Sequence, residues 1–245
     1  CKKITYLDLS ANILVFLPES FSKLEHLEIL NVERNELILQ PDRFNGCTSL
    51  KDLRMKGNAT KHITPDIGAC KSLIRFDASS NQIITIPTDI GLMTALEELD
   101  LSYNALTTIP PELASCGLVQ NLLLRNNNIQ GCLPHSFGLV ESLVQVDISF
   151  NKVNELPRSI IGLHLLETFK AERCQLTALP DTMSALKNLR LLDLQNNRFT
   201  RFPIELRDSA SLKDLDLRNN AISLLPRKIN GMSILTRLDL SRNLL

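Results

Sequence analysis

Residues 96–113 read LEELDLSYNALTTIPPEL and residues 212–229 read LKDLDLRNNAISLLPRKI. In both stretches Leu stands eight, five and three places before an Asn, Asn104 or Asn220. Apolar residues follow two and five places after it, and then a Pro. Outward from this pair the arrangement recurs at Asn12, Asn35, Asn58, Asn81, Asn127, Asn151, Asn197 and Asn243, with Cys174 filling the one gap. The period is 23 residues, with a single 24. Self-similarity at one fixed period over a whole chain marks a repeat array in which each unit packs only on its neighbours.

This spacing dictates the local structure. Apolar residues alternating as LxL form a short strand with one side buried. The next such strand arrives one period later, so all strands run parallel and each pair needs a crossover. The Pro-containing half of the repeat is that crossover. Its apolar residues, such as Ile86 and Ile90, Leu156 and Ile160, or Leu225 and Ile229, are expected to close the core from the far side. The Asn column falls where the chain leaves the strand. A buried amide there can bond backbone groups of adjacent turns, which an apolar residue cannot do, so the asparagines are expected to be structural.

The motif LxxLxLxxN, continued by LPxxI and running from Ile4 to Leu245, resembles the leucine-rich-repeat family. The 23-residue form is similar to the intracellular Ras-group repeats of Ras-binding scaffolds, plant Ras-group proteins and cell-polarity scaffolds. That resemblance implies an α/β solenoid, a horseshoe with a parallel β-sheet on the concave face and short helical or 3₁₀ segments on the convex face. Two repeats depart from the pattern. The third reads NATKHITPDI, with Pro65 one place late, and the sixth reads NNIQGCLPHSF, which matches the NxLxGxLPxxF form of plant extracellular receptors. The expected organisation is a single array over 1–245 of about eleven repeats. It is expected to be a fragment of a longer protein, because the chain opens at Cys1 just before a strand and stops at Leu245 without a polar cap.

Composition narrows the function. Lys and Arg number 27 against 27 Asp and Glu, and 44% of residues are hydrophobic, which excludes disorder and a global basic footprint for nucleic acid. Apolar runs are interrupted every few residues, so no membrane insertion is expected. Trp is absent, and the core must be built from Leu and Ile.

Cys47, Cys70 and Cys116 share the column twelve places after the repeat Asn, filled elsewhere by Leu24, Met93, Leu163, Leu186 and Met232, and read as small core residues. Cys174 substitutes for the Asn, and all six cysteines are expected to be free thiols because the Cys-rich caps of secreted relatives are missing. His26, His62, His135 and His164 share no column, so no metal or nucleophile constellation converges. The sequon Asn58-Ala59-Thr60 falls on the Asn column, where a sugar would break the turn. Only 9 glycines are present and no phosphate loop or nucleophile elbow occurs, so no catalytic site and no cofactor are expected.

Function is then expected in the outward strand positions of the concave face. From Phe76 to Leu124 the chain has no Lys or Arg, and residues 1–186 hold 16 bases and 21 acids against 11 and 6 in residues 187–245. The candidate partner-binding residues are Asp77, Glu98, Asp100, Tyr103, Leu123, Arg125, Phe150 and Arg173. Tyr103, Leu123 and Phe150 serve as apolar anchors, and Glu98, Asp100 and Arg125 as steering charges. The expected function is a cytoplasmic, non-enzymatic protein-interaction scaffold of signalling type. The resemblance implies a small GTPase or a phosphatase subunit as partner class. One alternative is the regulatory array of a larger signalling enzyme, such as a Roco-type kinase, adenylate cyclase or phosphatase. The other is an extracellular receptor ectodomain.

Overall fold

The computed structural model describes residues 3–39, 43–227 and 231–245. One strand arises from each LxL: β1 Tyr6–Asp8, β2 Ile29–Asn31, β3 Asp52–Arg54, β4 Arg75–Asp77, β5 Glu98–Asp100 and β6 Asn121–Leu123. Two further strands, β7 Gln130–Cys132 and β9 Lys152–Glu155, lie between the main ones. The main series continues as β8 Gln145–Asp147, β10 Thr168–Lys170, β11 Leu191–Asp193, β12 Asp214–Asp216 and β13 Arg237–Asp239. Eleven strands form one parallel sheet in chain order, and β7 and β9 form a separate two-stranded sheet. The register follows the period, with Leu99 opposite Phe76 and Leu122, and Leu192 opposite Phe169 and Leu215.

The central strand residue is buried through the middle of the sheet, from Leu30 to Leu215. The crossovers are short 3₁₀ turns such as Thr88–Leu92, Pro111–Ser115 and Arg158–Gly162. Pro87, Pro110 and Pro157 precede them in extended backbone, where a missing N–H costs nothing. The late Pro65 is absorbed without a change of frame. Thr64 takes the preceding position, and Pro65 becomes the first residue of the turn Pro65–Ala69. The turns stack closely enough that a Cβ at Gly162 would collide with the Gly138 carbonyl.

Ile86, Ile90, Leu156 and Ile160 are buried as the spacing predicts, but Leu225 is 52% exposed. Ile229 lies outside the described residues, as does Cys1. Leu224, the neighbour of Leu225, faces solvent as its column does elsewhere, at Thr85, Thr108 and Arg201.

The Asn column is a hydrogen-bond ladder. In Asn127, Oδ1 accepts from Leu106 N–H of the preceding repeat at 2.9 Å, while Nδ2 donates to the carbonyls of Leu101 and Leu124 at 2.9 and 3.0 Å. One amide thus ties two successive coils, and Asn35, Asn104, Asn197 and Asn220 repeat the scheme. Asn58 does the same, its amide spent on Leu37 N–H and the carbonyls of Val32 and Met55.

Candidate functional site on the sheet face

Residues on either side of each buried strand centre point away from the core and form columns across the sheet. The column after the centre is mostly Asp, and its first task is local. Asp77 accepts from Ser79 N–H and Asp100 from Ser102 N–H, each at 2.9 Å, capping the end of the strand. Asn31 does this for Glu33 at 3.1 Å, so the cap needs a carbonyl-type oxygen and no charge. These aspartates are thus partly structural, each with one oxygen committed.

A groove of about 480 Å³ runs over β3 to β6 and is lined by Arg54, Arg75, Asp77, Glu98, Asp100 and Leu123. Phe76 and Leu99 contribute to its lining. Glu98 pairs with Arg75 at 3.2 Å, and Arg54 forms a fork on Asp52 with contacts down to 2.7 Å. Burial pushes the Asp100 carboxyl above its ordinary pKa, and the neighbouring Asp77 adds to the rise against the hydrogen bonds from Ser102. The base-free stretch thus becomes an acidic groove whose two cations are already held by its own carboxylates.

Of the sequence-derived residues, Asp77, Glu98, Asp100 and Leu123 meet in this groove. Arg125, Phe150 and Arg173 form a second cluster beside it. The Arg125 guanidinium stands 4.2 Å from the Phe150 ring centre and that of Arg173 at 5.1 Å. Arg125 also reaches Glu172 at 3.4 Å and Asp147 at 3.9 Å. This corrects the expectation for Phe150. Its ring is half-buried with two of the chain's own arginines over it, so it acts as a platform for those arginines more than as a free apolar anchor. Leu123 is half-buried in the groove, and Tyr103, 51% exposed, is the large side chain left open, beside Arg125.

A feature not legible in the motif is the backbone of the residue before each ladder position. It is left-handed in every repeat: Tyr103 has φ 56°, Phe150 58°, Arg173 52°, and Gly57 takes the glycine solution at 70°. Asn126, Asn196 and Asn219 suit that conformation, whereas Tyr, Phe and Arg pay roughly 1–2 kcal/mol for it. The conformation belongs to the repeat itself, since Ala11 and Ser80 share it, and it holds Tyr103, Phe150 and Arg173 outside the lining of the groove.

Elsewhere chemistry is muted. All four histidines are exposed. Cys47, Cys70, Cys116 and Cys174 are buried free thiols, pushed up by burial to about 11, 12, 11 and 12, and Cys132 is free and exposed. Among the described residues no group of three or more His, Cys, Asp or Glu is arranged to hold a metal, and no helix is long and apolar enough to cross a membrane.

The geometry defines a class first: a parallel-stranded repeat solenoid with one side-chain-rich sheet face. Sequence profiles described as leucine rich repeat match residues 187–245, and 3–24 with 95–116. The chain belongs to the leucine-rich-repeat family. No curated protein matches it. Among solved structures it is similar to a leucine-rich-repeat protein of Leptospira interrogans, with a TM-score of 0.86, 28% identity, and 99% of this chain covering 67% of that one. It is also similar to the plant peptide hormone receptor RGFR1 in complex with RGF2, with a TM-score of 0.82, 29% identity, and 93% of this chain covering 38% of that one. A third is the ectodomain of the membrane receptor kinase GASSHO1/SCHENGEN3 of Arabidopsis thaliana in complex with CASPARIAN STRIP INTEGRITY FACTOR 2. There the TM-score is 0.78 and the identity 27%, with 99% of this chain covering 33% of that one. The chain thus spans well under half of either plant receptor.

Proposed function

We propose that this array is a non-catalytic protein-interaction module that takes its partner on the sheet face over β3 to β10. Repeats of this family generally serve protein–protein interaction, and two similar structures are receptors in complex with partners. The observation that carries the proposal is the acidic groove over β3 to β6, lined by Asp77, Glu98, Asp100 and Leu123, with exposed Tyr103 three residues beyond Asp100 in the same repeat. Asp77, Glu98, Asp100 and Arg125 orient the partner, Tyr103 and Leu123 anchor it, and Phe150 holds Arg125 and Arg173 in place. A cytoplasmic signalling scaffold of Ras-group type remains the proposed setting, supported by the free buried thiols and the engaged Asn58 amide. A second reading, a receptor ectodomain, is favoured by the NxLxGxLPxxF repeat, whose Gln130–Cys132 forms β7.

The test is retention of partners from a lysate by the parent and by a Tyr103→Ala, Leu123→Ala double variant. At least a tenfold weaker interaction is expected for the double variant, with an unchanged melt. Equal binding by both, with loss on substitution of exposed 3₁₀-side residues such as Leu92 or Leu139, would contradict the proposal.

A further inference from the structure

Seven of the eleven residues in the sheet-face column after the buried strand centres are aspartates. Every one of the seven accepts the N–H two residues on. Asn31 makes the same cap without a charge, so the charge itself is surplus to this task. In five of the seven a second side chain of the face takes it up. Asp8 accepts from Asn31 Nδ2 and Asp193 from Gln195 Nε2, each at 3.1 Å. Asp147 lies 3.9 Å from Arg125, and Asp216 and Asp239 lie 2.7 and 3.5 Å from Arg218. Among the described residues Asp77 and Asp100 have no ion-pair partner, and Ser79 and Ser102 of their own repeats are their donors.

These two are neighbours. They stand opposite each other in the register of β4 and β5, about 5 Å apart at strand spacing. The nearby cations are committed elsewhere. Arg54, next in the column, forks onto Asp52 with contacts down to 2.7 Å, and Arg75 goes to Glu98 at 3.2 Å. Lys56 is exposed and acts on Asp100 only from beyond ion-pair distance. On the other side Leu123, the one apolar residue of the column, stands opposite Asp100. Both aspartates and Leu123 line the groove. Burial holds the Asp100 carboxyl above its ordinary range and Asp77 adds to the rise, so the fold alone does not profit from keeping both charges there.

We propose that the groove takes an arginine of the protein partner, its guanidinium bridging the Asp77 and Asp100 carboxylates and its aliphatic stem lying on Leu123. This rests on the sheet-face reading and deepens it by naming what the partner brings. A guanidinium is a planar fork of donors that can reach two acceptors at strand spacing, whereas an ammonium is a point charge. A cation in that place supplies the counter-charge that the other column aspartates draw from their neighbours. The groove volume, about 480 Å³, lies in the range of ligand sites, roughly 300–1,000 Å³.

Random peptides displayed on phage and selected on the array test it. Peptides that lose binding to the Tyr103→Ala, Leu123→Ala variant belong to the sheet face. Each of these should carry an arginine whose replacement by glutamine weakens binding about tenfold or more. The Asp77→Asn, Asp100→Asn variant keeps both caps, as Asn31 does, and its melt at pH 7 should be no lower than the parent's. It should weaken binding by a similar factor, with little further loss when the peptide's arginine is also replaced. Lysine in place of that arginine should recover only part of the affinity. Sheet-face peptides that lack an arginine, that bind the Asn variant like the parent, or that bind equally well with lysine would overturn this inference and leave the sheet-face reading standing. Peptides indifferent to both variants, or no peptides at all, would overturn the two together.

Discussion

At the scale of single residues, the repeat Asn does work that no apolar residue could do, and this was readable from its position alone. A side chain at the exit of a buried strand must satisfy backbone groups of two coils. Asn127→Ala strands the Leu106 N–H, while the Leu101 and Leu124 carbonyls keep the amides of Asn104 and Asn151; at about 1–3 kcal/mol for a stranded buried group this predicts a loss of about 1–3 kcal/mol in urea unfolding. Asn127→Cys should lose less, because Cys174 shows that a thiol keeps the donor half of the ladder. The consequence of Cys174 itself was only half legible. That it stands in the Asn column follows from the period, but the missing acceptor toward Val153 emerges only when both coils are seen together. Asp100 gives a pH test. Its native pKa is raised by burial, so its contribution to stability is full below the ordinary value of 3.8 and is lost as pH rises through the native pKa. Asp100→Asn keeps the cap on Ser102, as Asn31 does for Glu33. It should therefore raise the urea midpoint at pH 7, and the gain over the parent should close as the pH falls below 3.8. A gain that grew toward low pH would contradict the burial account.

At the scale of elements, strand register came straight from the period, because a one-residue slip would turn Leu99 outward and Asp100 inward. Leu99 and Leu192 are 1% and 0% exposed at strand centres. Replacing either with Ala should cost about 2–5 kcal/mol by cavity formation, read from thermal or urea melts. Amide protection should fall in the adjoining strands too, since each coil buries its face only against its neighbours. The flank sheet β7–β9 was not anticipated, although the glycine-bearing sixth repeat was recognised as different. Within that repeat Gly131 has φ 76° and open space where a Cβ would be. Phe150 was read as free because the period does not require it, but the period is silent about which guanidiniums lie over a ring.

At the scale of the molecule, the basic excess of the last repeats does not make a free basic sheet face. Arg190, Arg218 and Arg237 are each paired with acids, at 3.6 Å from Glu167, 2.7 Å from Asp216 and 3.4 Å from Asp214. The open electrostatic feature of the sheet is the acidic groove earlier in the array. The array also separates its thiols by accessibility. Brief labelling of the native protein followed by peptide mapping should modify Cys132 and spare Cys47, Cys70, Cys116 and Cys174, while unfolding without reductant should release all of them as thiols. A disulfide among these five would favour the ectodomain over the cytoplasmic scaffold.

The central claim is that the sheet face around Tyr103 and the groove is the surface the array offers to a protein partner. Hydrogen exchange of the array alone and saturated with the partner it retains tests this most directly. Protection gained over β3 to β10, and lost for the Tyr103→Ala, Leu123→Ala variant, is the result predicted. Protection confined to the 3₁₀ turns such as Thr88–Leu92 and His135–Leu139, with the sheet face unchanged, would contradict it.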